Sequence, residues 1–270
     1  MILDKIVAAK KKELADQKVL VPENILDKEI HLINFSQQSN TFKTSVKREA
    51  DHPLKIIAEI KKASPSRGII RPDFNYKTIA QTYVEKKVDA ISVLTDKQFF
   101  QGTLDYIKDL SQYISIPLLR KDFTIDRYHI KEALVAGARA VLLIASILTE
   151  KQLNSFIQLC DSYSLGYIVE IHDAEDLTKT LTLDHVDVIG INNRDLRTFT
   201  IDLKTTERLL KKIPKGTIVI SESGIHTHQH AVYISDLGVD AVLIGEALMK
   251  HSDIAGKFDE IFGGLRHGSS

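Results

Sequence analysis

LKIIAEI (54–60), DAISVLT (89–95), IPLLRKDF (116–123), ARAVLLIA (138–145), GYIVEI (166–171), VDVIGIN (186–192), TIVISE (217–222) and DAVLIG (240–245) recur at intervals of 20–35 residues. Each is short, apolar and rich in β-branched residues, the pattern of a strand buried on both faces. Between them lie amphipathic stretches such as Ile79, Tyr83 and Val84, or Leu153, Phe156, Ile157 and Cys160, which read as helices. Gly137, Gly166 and Gly238 stand just before strands, where helices are expected to end. Eight strand–helix units in one run predict an α/β fold, a (β/α)8 barrel. An open doubly wound sheet is the alternative, but it would show a reversal of strand order.

Working outward, the first fifty or so residues lack such runs. Ile2, Leu3, Ile6, Val7 and Leu14 mark one face of a helix, with Lys10, Lys11 and Lys12 expected on the solvated side. A second helical stretch is expected around Thr41 to Arg48. The organisation expected is therefore a helical extension over residues 1–53 packed on a barrel over 54–270, one domain overall.

The apolar runs stop at polar residues. The first ends in Glu59 and Lys61, the third in Lys121, the fifth in Glu170, the sixth in Asn192 and Arg194, and the seventh in Glu222 and Ser223. In a closed barrel these C-terminal strand ends meet at one face, the one that carries active sites. A charge at a strand end is ordinarily a solvated loop residue, but five strands ending this way point to a shared mouth of three cations and three carboxylates. Such crowding is expected to lower a lysine's pKa or raise a carboxyl's, as acid–base work near neutral pH requires. SESGI (221–225) and GEALM (245–249) follow the last two strands, where loops leading into helices offer backbone N–H groups to a phosphate.

Composition narrows the classes. Lys+Arg is 36 and Asp+Glu is 36, so the chain lacks the basic excess of a nucleic-acid binder. A single cysteine, Cys160, excludes an internal disulfide framework and a cysteine-rich zinc site, and its place on an apolar helix face marks it as core filler. His226, His228 and His230 lack a further ligand in register, so no metal is expected. No apolar run approaches the roughly 20 residues that span a bilayer. The N-terminus MILDKIVAAKKKELADQK lacks a signal-peptide core, so a cytoplasmic location is expected.

IAEIKKASPSRG (57–68) closely resembles the first-strand signature of the indole-3-glycerol phosphate synthase family, the ring-closing decarboxylases of tryptophan biosynthesis. The resemblance continues through ISVLTDKQFFQG (91–102), LLRKDF (118–123), VEIHD (169–173), GINNRDL (190–196), SESGI (221–225) and LIGEALM (243–249), and it covers essentially the whole chain. Arg67 and Thr103 are small departures, where Lys and Ser are frequent. The resemblance implies a lyase that converts a carboxyphenylamino-deoxyribulose phosphate to indole-3-glycerol phosphate, CO2 and water, with no cofactor. It implies Lys121 as general acid, Glu170 as general base, and Glu59, Lys61 and Asn192 around the reacting centre. Ser64 would lie in the loop after the first strand, Arg194 would orient or pair charges, and Phe123 and Leu196 would wall the aromatic ring. Glu222 would contact substrate, and Ser223, Gly224, Gly245 and Glu246 would hold its phosphate. The expected partner is this small molecule alone, with no nucleic acid and no membrane, on a monomer or weak homo-oligomer. A Schiff-base aldolase using Lys121, a non-catalytic phosphosugar-binding barrel, and a barrel of the phosphoribosylanthranilate isomerase type are the rivals.

Overall fold

A computed structural model of the protein describes residues 2–33, 41–49, 53–195 and 198–265. All eight apolar runs are strands: β1 Lys55–Ile60, β2 Ala90–Leu94, β3 Leu118–Lys121, β4 Ala140–Ile144, β5 Gly166–Ile171, β6 Val188–Asn192, β7 Ile218–Glu222 and β8 Ala241–Ile244. They are all parallel, each pairs with its neighbours in sequence, and β1 also pairs with β8, with Lys55 opposite Ala241, so the sheet closes into a barrel. The open-sheet alternative is thereby excluded.

Side chains alternate along a strand, so every second residue points into the barrel. Ile57, Ala90, Leu119, Ala140, Leu142, Ile168, Val188, Ile218, Ile220, Ala241 and Leu243 form this inner core. Their in-between neighbours, such as Ile56, Ala58, Val141 and Val169, pack outward against the surrounding helices. Helices α4 (Tyr76–Glu85), α7 (Arg127–Val135), α8 (Glu150–Ser162), α9 (Ala174–Leu181), α10 (Lys204–Leu210), α11 (His228–Asp236) and α13 (Ile254–Phe262) form the outer ring, with short α5 (Lys97–Phe100), α6 (Asp105–Leu110) and α12 (Glu246–Met249) in the loops. Several starts are set by side chains that accept N–H bonds of the first turn: Asn75 for α4, Asp126 for α7, Asp173 for α9. Gly137 and Gly238 take the left-handed conformation, φ +91° and +86°. Gly166 does not: it is the first residue of β5, and the left-handed residue there is Ser164, φ +51°.

The extension meets both ends of the barrel. Phe42 and Val46 of α3 (Thr41–Val46) are fully buried within the inner core beside Ile57 and Leu119, so this helix closes the bottom. Arg48 beyond it donates to the Ser235 carbonyl, and its backbone N–H to Asp240. Helix α2 (Glu23–His31) packs on α7, where Lys131 bridges Glu23 and Asp27.

Helix α1 (Ile2–Leu20) carries a correction. Lys10 is not solvated: it is 2% exposed, with its ammonium 3.0 Å from Asp122, 3.1 Å from Asp96 and 2.8 Å from Glu13. A helix laid across the loops after β2 and β3 brings Lys10 over two buried carboxylates, and only a cation can compensate them. No helix among the described residues is long and apolar enough to cross a membrane.

Candidate active site

The inner face explains the site. On β1, Ile57 points inward, and Glu59 follows it two residues on; Leu119 and Lys121, Ile168 and Glu170, and Ile220 and Glu222 repeat the relation on β3, β5 and β7. Each polar residue is the next inward position above an apolar one, at the C-terminal rim. The cleft they floor is lined by Glu59, Lys61, Ser64, Lys121, Phe123, Glu170, Asn192, Arg194, Glu222, Ser223, Gly224, Gly245 and Glu246. Thirteen of the fourteen residues singled out from sequence thus converge; Leu196, the fourteenth, lies outside the described residues.

At the centre, Lys121 Nζ stands 2.9 Å from Glu170 Oε2 and 3.4 Å from Glu222 Oε2. Burial alone would lower the Lys121 pKa, but Glu170, Glu222 and Glu59 together hold it well above the ordinary value. The expected depression of a lysine is therefore reversed, because this lysine faces carboxylates and not other cations. The two main carboxyls part company. Burial would raise Glu170, but Lys121 and His172 overcome this and keep it ionised. Glu222, 1% exposed, is pushed well above the ordinary carboxyl range by burial and by Glu170, against the pull of Lys121, and its Oε1 has no hydrogen-bond partner among the described residues. Carboxyls driven apart in this way divide into one base and one acid.

Two glycines make room for these groups. A methyl at Gly190 on β6 would overlap the Glu222 carboxylate and come within 2.6 Å of Ile168 Cγ2. One at Gly245 would lie 2.5 Å from Glu59 Oε1. Lys61, just past β1, ion-pairs with Glu59. Ser64 sits in a small antiparallel ribbon, Ala63–Ser64 with Gly68–Ile69, and its buried Oγ has no hydrogen-bond partner among the described residues.

Toward β7 and β8 the cleft changes character. Ser223 and Gly224 are successive left-handed residues, φ +66° and +90°, which turn the chain sharply at the end of β7. Gly245 immediately precedes α12, whereas α11 begins only at His228, so only one of the two expected helix starts adjoins the turn. β6 ends at Asn192, and Arg194 beyond it bonds Glu246, Nη2 to Oε2, at 2.8 Å. Lys250 takes the other oxygen of Glu246 at 2.5 Å. The His226–His230 pair is held ring to ring at 6.4 Å, and no group of three or more His, Cys, Asp or Glu side chains among the described residues could hold a metal ion. Cys160 is fully buried.

Several lining residues were not anticipated. Phe100 stands 6.2 Å from Phe123, ring to ring, and with Leu94, Leu142 and Phe199 it makes the apolar wall. Ile2, Leu3 and Ile6 of α1 roof the cleft, so the apolar stripe that signalled packing also faces the site. His172, inside the quoted VEIHD, lies 3.1 Å from Glu170 Oε1. Only a charge count of β5 with its following helix would have flagged it.

Residues 3–261 match the family model of indole-3-glycerol phosphate synthase. The chain belongs to the indole-3-glycerol phosphate synthase family. It is 48% identical over 260 residues to the indole-3-glycerol phosphate synthase of Thermoanaerobacter pseudethanolicus, covering 96% of each chain. It is 47% identical over 268 residues to that of Caldanaerobacter subterraneus subsp. tengcongensis, covering 99% of this chain and 100% of the relative. Among solved structures it resembles 3-hexulose-6-phosphate synthase from Salmonella typhimurium, with TM-score 0.61 at 17% identity over 77% of this chain and 96% of the other. It also resembles a tryptophan synthase alpha-subunit from Pyrococcus furiosus, with TM-score 0.57 at 14% identity over 78% and 99%. The two structural likenesses speak for the barrel alone. The family assignment brings with it a carbon–carbon lyase of tryptophan biosynthesis acting on a small phosphosugar substrate.

Proposed function

We propose that this cleft closes the indole ring of 1-(2-carboxyphenylamino)-1-deoxyribulose 5-phosphate, with Lys121 as acid at the ketone oxygen. The arrangement that carries this reading is the Lys121 ammonium set between Glu170 and Glu222 on the floor of an apolar-walled cleft. The aromatic carbon bearing the carboxylate attacks the ketone carbon, and charge develops on the ketone oxygen. A buried cation aimed at that oxygen stabilises it far better than water would. The cationic ring so formed is itself the electron sink for loss of CO2. Dehydration then needs a proton for the departing hydroxyl and a base for a ring proton. Glu222, whose pKa is raised by burial and by Glu170, and ionised Glu170 suit these roles, with Glu59, Lys61 and Asn192 beside them. Phe123 and Phe100 would flank the aromatic ring. The phosphate would meet the N–H groups of Ser223, Gly224, Gly245 and Glu246, with Arg194 and Lys250 nearby for charge.

A Schiff-base aldolase needs a neutral lysine amine, hence a depressed pKa. The carboxylates around Lys121 push it the other way. The test exploits the absence of tryptophan from the chain, whose own emission comes from eight tyrosines. Indole fluorescence and released CO2 should rise one for one in buffer containing EDTA. Lys121→Ala should lower kcat about 10²–10⁴-fold. CO2 without indole, or a variant within a few-fold of the parent, overturns the proposal.

A further inference from the structure

His172 follows β5 and is buried to 9% exposure of its side chain, with its two ring nitrogens between two carboxylates. Nε2 lies 3.1 Å from Glu170 Oε1, and Nδ1 lies 3.4 Å from Oδ2 of Asp176 in the first turn of α9. The same Asp176 oxygen accepts the His172 backbone N–H at 3.1 Å, so the carboxylate fixes the residue at two points. Glu170 is thereby flanked by cations on two sides: Oε2 accepts a hydrogen bond from Lys121 at 2.9 Å, and Oε1 lies at ion-pair distance from His172 Nε2, whose N–H is not aligned for a hydrogen bond in this arrangement.

We propose that His172, oriented by Asp176, is a positioning residue that holds the Glu170 carboxylate from the side opposite Lys121. The inference rests on Glu170 as the base of the proposed reaction. A carboxylate held by one partner swings about that contact; held at both oxygens, it presents a fixed direction to the proton it takes. A positive charge beside Oε1 also favours the ionised form of Glu170, so the shared proton of the carboxyl pair falls on Glu222. The ring carries that charge because Asp176 and Glu170 outweigh its burial and raise its pKa to about 10. The groove outside is lined by Asp4 on α1, Asp173 before α9, and Asp195 and Asp202 beyond β6, with Lys11 and Arg208 as the opposing cations. No substrate atom needs to touch His172 for it to act.

The test compares three variants with the parent enzyme in the indole assay across pH 4–9. His172→Asn keeps a donor near Asp176 but cannot reach Glu170. It should lower kcat about 10–100-fold with KM within about threefold, and move the acid limb of kcat/KM upward by about one pH unit. His172→Gln places a neutral donor near the lost Nε2 and should recover kcat to within a few-fold, while its acid limb stays raised. Asp176→Asn leaves the ring in place and should shift the limb in the same direction. Acid limbs that superpose on the parent's, or a Gln variant as slow as Asn, overturn the inference. Glu170→Gln is measured alongside: if it is inactive while the His172 profiles do not move, only the positioning role fails. If it turns over normally, the assignment of the base fails, and the inference with it.

Discussion

Replacing Lys10 by methionine removes a buried charge while keeping the length and most of the volume of the side chain. Asp122 and Asp96, each almost fully buried, then face each other without their common cation. Asp122 retains Arg120 at 3.4 Å and the hydroxyl of Thr95 at 2.6 Å, so Asp96 loses more. Breaking a buried ion pair from one side costs about 3–5 kcal/mol. In a chain of this size each kcal/mol moves the midpoint by about 2–4 °C, so Tm should fall by about 6–20 °C. The pH dependence has a definite sign. Burial lowers the Lys10 pKa, but Asp122 and Asp96 leave it above the ordinary 10.5. Its contribution is therefore fully present below about pH 10.5 and fades only as pH climbs through the raised folded value. Burial raises Asp122, yet Arg120 and Lys10 bring it below the ordinary 3.8, so its share is present above pH 3.8 and fades on acidification. Thermal unfolding followed by circular dichroism at pH 7 measures the loss. Asp96→Asn keeps the carbonyl oxygen that caps α5 through the Phe99 N–H, so adding it to Lys10→Met should restore part of the stability. A Lys10→Met midpoint within 2 °C of the parent would refute the account, as would an Asp96→Asn addition that lowers it further.

The other expectations concern backbone positions. Gly190→Ala should push Glu222 off its place and lower kcat at least about tenfold, since a misplacement of 1 Å can cost about 10²-fold; a variant with parental kcat would show that Glu222 has slack. Gly224→Ala puts a Cβ 2.7 Å from Ile201 at φ +90°, a conformation L-residues avoid, and should raise KM more than it lowers kcat, which steady-state kinetics separates.

The barrel was legible because strands covered on both faces must be apolar throughout, and their polar stops mark the open end. The same period of two placed Glu59, Lys121, Glu170 and Glu222 together, since each follows an inward apolar residue on its own strand. What stayed hidden depends on partners that only the fold brings together. Nothing near Lys10 announces Asp96 and Asp122, so a triple-lysine run reads as solvated. His172 gains its role from Asp176, which only the start of α9 brings back to it. The direction of the Lys121 shift likewise follows from which charges surround it, and strand ends alone supply both signs.

The clamps on the extension also bear on how the chain is made. Lys18 bonds Asp126, Lys131 bonds Glu23 and Tyr128 bonds the carbonyl of Gln17, pairs separated by 108 to 111 residues. At about 5–20 residues per second, the ribosome delivers those partners some 5–20 s after the first helix has emerged. Through that interval an apolar stripe with one lysine set in it has no barrel to lie on. The ring cannot close until β8 has been made and meets β1. Helix α1 is therefore made before the barrel it lies on and docks only after it, and the nascent chain should be most vulnerable to chaperone capture and proteolysis at that helix.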